Sequence, residues 1–235
     1  RNAISQSHTL RVYGGEQAMR YSISLNYKNT QGVMIGNNRN NYSGTLGLNY
    51  IKGKLSINNN VTFGFNKANE SPYGRFSSYT RLNPYLRPYG PDGKPVRTLM
   101  DYSVGYDDNY YGVENPLYTA SQNPVNYSTY NQLIENLQLN YRPLPWLRLT
   151  GTGSFTYTND ESNNFRPNTL PEFDALPFGQ RGRYALSNGK SYNAQGSLSF
   201  DINKTWDKHS LYLTTNGQII ESSNQRYRQT AIGFT

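Results

Sequence analysis

The feature that most constrains this chain is a period-two alternation of apolar and polar residues. Residues 20–28 read RYSISLNYK, in which every second residue from Tyr21 onwards is apolar. Successive side chains of a β-strand point to opposite faces, so this pattern predicts a strand with one apolar and one polar face. The same alternation returns at 42–50, 55–65, 133–141, 147–157 and 192–202, and more weakly at 211–219. With a shorter strand around Leu10 and Val12, the sequence predicts an all-β fold of about eight strands without helices.

The predicted strands are long, and their connections alternate between short and long. A tilted strand needs about 9–11 residues to cross a bilayer, whereas strands of soluble proteins are most often about 5–6 residues long. Tight turns are predicted at 14–17, 51–54, 143–145 and 206–208, and long links at about 30–39, 67–128 and 160–190. Long structureless loops are uncommon in compact soluble domains. Short turns at one end and long loops at the other are typical of outer-membrane barrels, whose short turns are periplasmic.

The composition agrees with a barrel and excludes other classes. Hydrophobic residues make up 35%, charged residues 16% and aromatic residues 14% of the chain. An ordinary soluble domain has about 45–50% apolar and about 25% charged residues, and disordered chains have few aromatics. The absence of cysteine excludes disulfides and thiol chemistry, and no run of about 20 apolar residues predicts a transmembrane helix. The net charge of +8 comes from scattered Lys and Arg, so nucleic-acid binding is not predicted.

The polar strand face also fits a barrel, because a barrel interior can stay wet and its polar residues then carry no burial penalty. Glu135 is an exception, since it shares the parity of the apolar residues Leu133 and Leu137. We expect this carboxylate near the outer interface or displaced by a β-bulge. Eight strands alone can close a small barrel. Both ends of the chain look cut, so we expect a longer protein to supply further strands.

Several segments carry a family pattern. The opening region reads H-x-L-x-V-x-G-G, then R-Y-x-x-S-L-x-Y, then Q-G. The matching residues are His8, Leu10, Val12, Gly14 and Gly15, then Arg20, Tyr21, Ser24, Leu25 and Tyr27, then Gln31 and Gly32. In order and spacing this region resembles the SusC-like (RagA/SusC) TonB-dependent outer-membrane transporters. The segments 81–96 and 204–218 are also similar to that family.

The resemblance implies an antiparallel transmembrane β-barrel of about 22 strands, closed by an N-terminal plug. It further implies a TonB-driven importer of oligosaccharides or peptides, capped by a SusD-like surface lipoprotein and embedded in outer-membrane lipid. We identify no plug, signal peptide or TonB-contacting segment, so residues 1–235 are expected to be part of one barrel domain. The TonB complex would then be met through a missing N-terminal region. We expect no enzymatic activity, no cofactor and no metal.

The candidate ligand-binding surface is the 67–128 loop, which concentrates tyrosine, arginine and proline. Tyrosine rings stack on sugar faces or peptide side chains, and arginine offers a planar fork to carboxylates or hydroxyls. The candidate residues are Tyr79, Tyr85, Arg87, Tyr89, Tyr106, Tyr110 and Tyr111. The alternative is that these side chains pack the loop on itself and on the lipoprotein partner.

Two other functions stay open at this stage. One is a stand-alone small outer-membrane barrel that acts as an adhesin or structural protein. The other is a secreted carbohydrate-binding β-protein. Solubility without detergent is expected of the secreted protein alone.

Overall fold

The computed structural model describes residues 3–80, 82–102 and 111–234, and its main body is one antiparallel sheet of eight strands. The strands are β1 (Ser5–Gly15), β2 (Met19–Gln31), β3 (Asn38–Lys52), β4 (Leu55–Asn69), β5 (Thr98–Tyr102), β6 (Tyr111–Glu114), β7 (Val125–Leu144), β8 (Leu147–Arg166), β9 (Arg183–Trp206) and β10 (His209–Ile232). The sheet order is β1-β2-β3-β4-β7-β8-β9-β10, while β5 and β6 form a separate pair. The predicted all-β class and its eight long strands are confirmed.

Short helical segments, which the sequence analysis did not predict, occur in the loops. They are α1 (Phe76–Thr80), α2 (Pro116–Ser121) and the 3₁₀ turns Pro171–Phe173 and Phe178–Gln180. No helix in the described ranges is long and apolar enough to cross a membrane.

All four predicted tight turns connect neighbouring strands at one end of the sheet, here called the short-turn end. Gly53 in the β3–β4 turn has a φ of +57°, and Asp207 in the β9–β10 turn has a φ of +46°. Glycine and aspartate are among the few residues that visit this left-handed region readily. The residue types at these turns therefore set the register of the hairpins.

The opposite end, here called the long-loop end, carries the remaining connections. The β4–β7 loop spans residues 70–124 and contains α1, β5, β6 and α2. The β8–β9 loop covers only residues 167–182, because β8 continues to Arg166 and β9 begins at Arg183. This loop is shorter than the predicted 160–190, since residues 158–164 read TNDESNN and show no alternation although they are strand.

One face of the sheet carries an apolar belt of nearly constant height. On six strands the belt is nine or eleven residues tall, spanning Met19–Tyr27, Tyr42–Tyr50, Leu55–Phe65, Leu133–Tyr141, Leu147–Tyr157 and Tyr192–Ile202. These lengths match the 9–11 residues of a tilted bilayer-crossing strand. Leu198 and Phe63 in the belt are each 47% exposed, so no other part of the described chain covers it.

The belt is staggered relative to the hydrogen-bonded rows of the sheet. Its upper edge, which is the edge nearer the long-loop end, runs through Tyr27, Tyr42 and Phe65. These three residues are directly opposite one another on neighbouring strands. On β8 and β9 the upper edge lies one row of same-face residues closer to the short-turn end, at the directly opposed Tyr157 and Tyr192. Because the belt shifts relative to the hydrogen-bonded rows across the sheet, the strands are tilted relative to the belt. A closed barrel requires this combination of strand tilt and stagger.

Aromatic rings mark the upper edge of the belt on the first four strands. The ring centroids of His8 and Tyr27 lie 6.3 Å apart, those of Tyr27 and Tyr42 4.9 Å, and those of Tyr42 and Phe65 6.1 Å. Aromatic girdles of this kind lie at bilayer interfaces in transmembrane barrels.

The other face of the sheet is polar, and its side chains bond across the strands. The hydroxyls of Thr45 and Thr62 lie 3.3 Å apart, and the Thr150 hydroxyl donates to Asn140 Oδ1 at 3.1 Å. Such pairs are satisfied in a water-filled interior and would leave little apolar surface for a soluble core.

Glu135 lies on the apolar face, as its parity predicts. It stands directly opposite Val61 and Phe155 without a register shift, so the predicted β-bulge is wrong. Asn59 Nδ2 donates to its carboxylate at 3.3 Å. The carboxylate is two residues below Leu133, in the half of the belt nearer the long-loop end.

Candidate functional site

A single buried asparagine organises the β4–β7 loop. Asn115 is only 1% exposed, and it forms the N-cap of α2 by accepting from the Leu117 N–H at 3.1 Å. Its Nδ2 donates to the carbonyls of Pro88 at 2.8 Å and Val96 at 2.6 Å. Because every polar atom of this amide is engaged, Asn115 fixes the segment 88–96 against α2.

The segment 88–96 is a small hairpin that ends in the turn Gly-Pro-Asp-Gly. The Val96 N–H donates to the Pro88 carbonyl at 3.0 Å, and the Gly93 N–H donates to the Gly90 carbonyl at 3.1 Å. Gly93 has a φ of +74°, which favours glycine at this position. Residues 90–93 therefore form the tip of this hairpin.

Three candidate residues project from the segment 85–89, which leads to the turn of this hairpin. Tyr85 is 90% exposed, Tyr89 is 52% exposed and Arg87 is also exposed, while Leu86 and Pro88 between them are half-buried. The alternation places two rings and one guanidinium on the outer side of the loop. We call Tyr85, Arg87 and Tyr89 the outer stripe.

The other candidate residues do not join this stripe. Tyr79 lies on α1 and lines a cleft of about 340 Å³ with Pro84, Leu99 and Pro116. Its hydroxyl is buried and has no hydrogen-bond partner within the described ranges. Burial raises the pKa of Tyr79, with a smaller contribution from Tyr73. Tyr79 therefore packs the loop on itself, as the alternative interpretation expected.

Tyr106 and Tyr110 lie outside the described residues, as does the side chain of Tyr111. The backbone of Tyr111 begins β6 and pairs with Tyr102.

The two longest loops are joined by one ion pair and one hydrogen bond. Asp174 in the β8–β9 loop pairs with Arg97 of the β4–β7 loop, and Arg181 Nη1 lies 3.9 Å from the same carboxylate. The Tyr118 hydroxyl donates to the Thr169 carbonyl at 3.4 Å. Leu170 is 1% exposed and Phe173 is 8% exposed, so the contact between the loops has a small apolar core.

A polar cleft of about 920 Å³ opens between the β4–β7 loop and the ends of β7 and β8 at the long-loop end. Its charged residues are Glu70, Arg75, Glu114 and Arg166. Arg166 pairs with Glu172, and Asn37 Nδ2 donates to Glu70 Oε2 at 3.1 Å. Arg75 is exposed and has no ion-pair partner in the described part of the chain, so the cleft holds an unpaired cation.

Glu114 is the acidic counterpart of Arg75 in the cleft. Burial raises the pKa of Glu114, Glu172 raises it further, and Arg166 acts in the opposite direction. Much of the side-chain surface of Glu114 is still exposed, so solvent moderates the effect. No three His, Cys, Asp or Glu side chains of the described residues cluster as metal ligands would.

Sequence reasoning missed both this cleft and α2. Asn115 followed by Pro116 is an N-cap with proline at the first helical position, a pattern that marks a helix start. The cleft has no comparable signal, because its lining comes from segments separated by as many as 96 positions, from Glu70 to Arg166.

Comparison with known proteins supports the fold. The sequence matches no protein-family model and no curated protein. A solved structure of the RagAB peptide transporter superposes with a TM-score of 0.73 at 19% identity, covering 97% of this chain and 26% of that chain. The sheet has the fold of a RagAB-type barrel wall. The predicted resemblance to the SusC-like (RagA/SusC) transporters is thus confirmed at the level of the fold.

Two further RagAB structures match equally well. The RagAB peptide importer in its "closed-closed" state gives a TM-score of 0.75 at 18% identity, with 98% of this chain and 26% of that chain covered. The "open-open" state gives 0.72 at 17% identity, with 98% and 25% covered. The chain therefore spans about a quarter of the length of these RagAB structures.

Proposed function

We propose that this chain is a wall segment of an outer-membrane, TonB-dependent nutrient importer that takes up peptides. The observation that carries the proposal is the exposed apolar belt, nine or eleven residues tall on six strands, in a chain of which 97% is covered by the match to RagAB. The role is non-enzymatic: the wall holds the loops at the barrel mouth and encloses a polar path.

The belt favours a bilayer over any soluble environment. Burying an exposed apolar face of this size in lipid removes it from water, which contributes about 25 cal/mol for each Å² of apolar area. The polar face would then line the lumen, where hydroxyl and amide pairs such as Thr45–Thr62 stay hydrated. The ordered long loops would lie outside the cell and the short turns in the periplasm.

The polar cleft favours peptides over neutral oligosaccharides. A peptide carries N–H donors, carbonyl acceptors and charged ends, and the cleft offers the cation Arg75 and the acid Glu114 to such a ligand. RagAB, which shares the fold, is described as a peptide transporter. Import of an oligosaccharide stays a second candidate, because the outer stripe contains two exposed tyrosines that suit sugar faces.

The outer stripe is the proposed contact for a SusD-like surface lipoprotein or for ligand held beneath it. Tyrosine and arginine are enriched where proteins recognise partners, because they offer large area and directed hydrogen bonds. Tyr85, Arg87 and Tyr89 meet no other described part of the chain that would cover them. Tyr106, Tyr110 and Tyr111 belong to the same proposal.

An uptake experiment tests the function. Host cells with and without the full-length protein are given labelled short peptides or labelled oligosaccharides, with and without an uncoupler that abolishes TonB energisation. We expect accumulation of peptides alone, only in cells that carry the protein and only when they are energised. Equal peptide uptake in both cell types would refute the importer, and uptake of oligosaccharides instead would refute the ligand class.

A variant pair tests the outer stripe within the same assay. Replacing Tyr85, Arg87 and Tyr89 together by alanine should lower uptake and lipoprotein capture while the barrel still assembles. Lys94→Ala is the matched control, because Lys94 is exposed on the turn of the same hairpin but lies outside the stripe. If the control lowers uptake as much as the triple variant, the stripe has no specific role.

A further inference from the structure

The only two tryptophans of the chain flank one lysine at the short-turn end. Lys204 Nζ lies 5.1 Å from the ring centroid of Trp146 and 5.4 Å from that of Trp206. Trp146 belongs to the β7–β8 turn, which is tied to β9 by the Asn203 N–H donating to the Trp146 carbonyl at 2.8 Å. Two hairpins therefore contribute to one cluster, in which both rings attract the ammonium electrostatically.

The depth of Lys204 is set by the belt. Ile202 is the last residue of the eleven-residue apolar span on β9, and Lys204 is the next residue on the same face. Two residues advance a strand by about 6.6 Å. The hydrocarbon core of a bilayer is about 30 Å thick and the whole bilayer about 40–45 Å, so each headgroup layer is about 5–8 Å deep. Lys204 thus lies in the headgroup layer.

The ammonium of Lys204 still has its hydrogen-bonding capacity. An ammonium carries three N–H donors, and no acceptor in the described part of the chain bonds to Lys204 Nζ. The nearest acids along the strand are Asp201, which accepts from the Thr214 hydroxyl at 2.9 Å, and Asp207 in the adjoining turn. Lys204 pairs with neither carboxylate.

The other charged residues around this cluster at the short-turn end are mostly basic. Lys208 follows in the β9–β10 turn, and Lys52 ends β3 at the same end of the sheet. The short-turn end of the sheet therefore attracts anions more strongly than cations.

We propose that Trp146, Lys204 and Trp206 form a binding site for the phosphate of an anionic phospholipid headgroup, in the leaflet at the short-turn end. The proposal rests on the proposed function, because it takes the sheet to cross a bilayer. The two rings hold the ammonium at headgroup depth, and its free N–H groups donate to phosphate oxygens in charge-assisted hydrogen bonds. The site thereby binds the short-turn end of the sheet to one class of lipid.

Native mass spectrometry of the full-length protein tests the site. The protein is titrated in detergent with phosphatidylglycerol or with phosphatidylcholine of the same acyl chains, and bound lipids are counted. We expect Lys204→Gln to weaken phosphatidylglycerol binding by about tenfold, the effect expected of one charge-assisted hydrogen bond. Phosphatidylcholine should bind more weakly than phosphatidylglycerol to the unmodified protein, and excess inorganic phosphate should not displace the lipid.

Lys208→Gln is the matched control, because it removes one positive charge from the same turn and contacts neither ring. Equal losses in Lys204→Gln and Lys208→Gln would overturn the site, since net charge alone would explain them. Unchanged lipid binding in Lys204→Gln would also overturn it. Failure of the full-length protein to insert into vesicles would instead refute the barrel itself, so the two failures are distinguishable.

Discussion

An arginine placed at the centre of the belt should prevent stable insertion, and its cost should depend on depth. On β3 the belt runs from Tyr42 to Tyr50, so Leu46 lies at its midpoint. A lipid-facing arginine costs about 2–4 kcal/mol at the bilayer midplane and about 0–1 kcal/mol near the interface. Leu46→Arg should therefore lower the folding equilibrium constant roughly 30- to 700-fold, at about 1.4 kcal/mol for each tenfold change.

Two matched variants on the same strand separate depth from charge. Tyr50→Arg places the same side chain at the lower edge of the belt and should cost about 1 kcal/mol or less. Thr45→Arg sits next to Leu46 but on the polar face, where it loses only the contact with Thr62. That hydrogen bond contributes about 0.5–1.5 kcal/mol.

The assay is urea titration of the full-length protein refolded into vesicles, with folded and unfolded forms separated by their electrophoretic mobility. The order of destabilisation should be Leu46→Arg first, with Thr45→Arg and Tyr50→Arg well behind. If Thr45→Arg costs as much as Leu46→Arg, the assignment of the apolar face to lipid fails. If Tyr50→Arg costs as much, the belt does not have the predicted height.

Three further predictions concern the loops. Asn115→Ala leaves the Val96 carbonyl without its Nδ2 donor and the Leu117 N–H without its acceptor, while the Pro88 carbonyl keeps the Val96 N–H. The 88–96 hairpin should be destabilised by about 1–3 kcal/mol, seen as faster hydrogen exchange there; unchanged exchange would contradict the organising role of Asn115. Asp174→Asn should loosen the β8–β9 loop by about 1 kcal/mol at low salt, because Arg97 and Arg181 lose a partly exposed partner, and high salt should produce the same loosening in the unmodified protein. The raised pKa of Glu114 means that the folded loop holds this proton more tightly than the unfolded chain, so loop stability is greatest in acid and declines as the pH rises above the ordinary range of a glutamate. Glu114→Gln should abolish that decline in hydrogen-exchange protection of α2, and a decline that persists would assign it to another group.

The sequence is informative wherever the two faces of a strand meet different surroundings. Within the belt, one face of each strand is apolar and the other is polar, so residues such as Leu46 and Thr45 alternate and the sequence predicts the strand. Above the belt both faces are polar, and the alternation ends although β8 continues to Arg166 and β9 begins at Arg183. The sequence consequently predicts loop where the structure has strand.

The candidate site was only partly predictable for a related reason. Exposed rings such as Tyr85 and Tyr89 are visible in composition, but Tyr79, which has the same composition signal, packs inside the loop. The lining of the cleft that holds Arg75 and Glu114 comes from the β4–β7 loop and from the ends of β7 and β8. Contacts between residues so far apart in sequence leave no local pattern.

With the belt placed in a bilayer as proposed, the upper parts of β9 and β10 would raise the long-loop end of the sheet well above the membrane. From Tyr192 at the belt edge, β9 continues to Arg183, an extension of nine residues. At about 3.3 Å for each residue and a tilt of about 35–45°, this lifts the rim by about 20 Å or more. Encounter with the proposed ligand at this end would thus be a collision in bulk water, set by three-dimensional diffusion and ionic strength rather than by lateral motion in the bilayer.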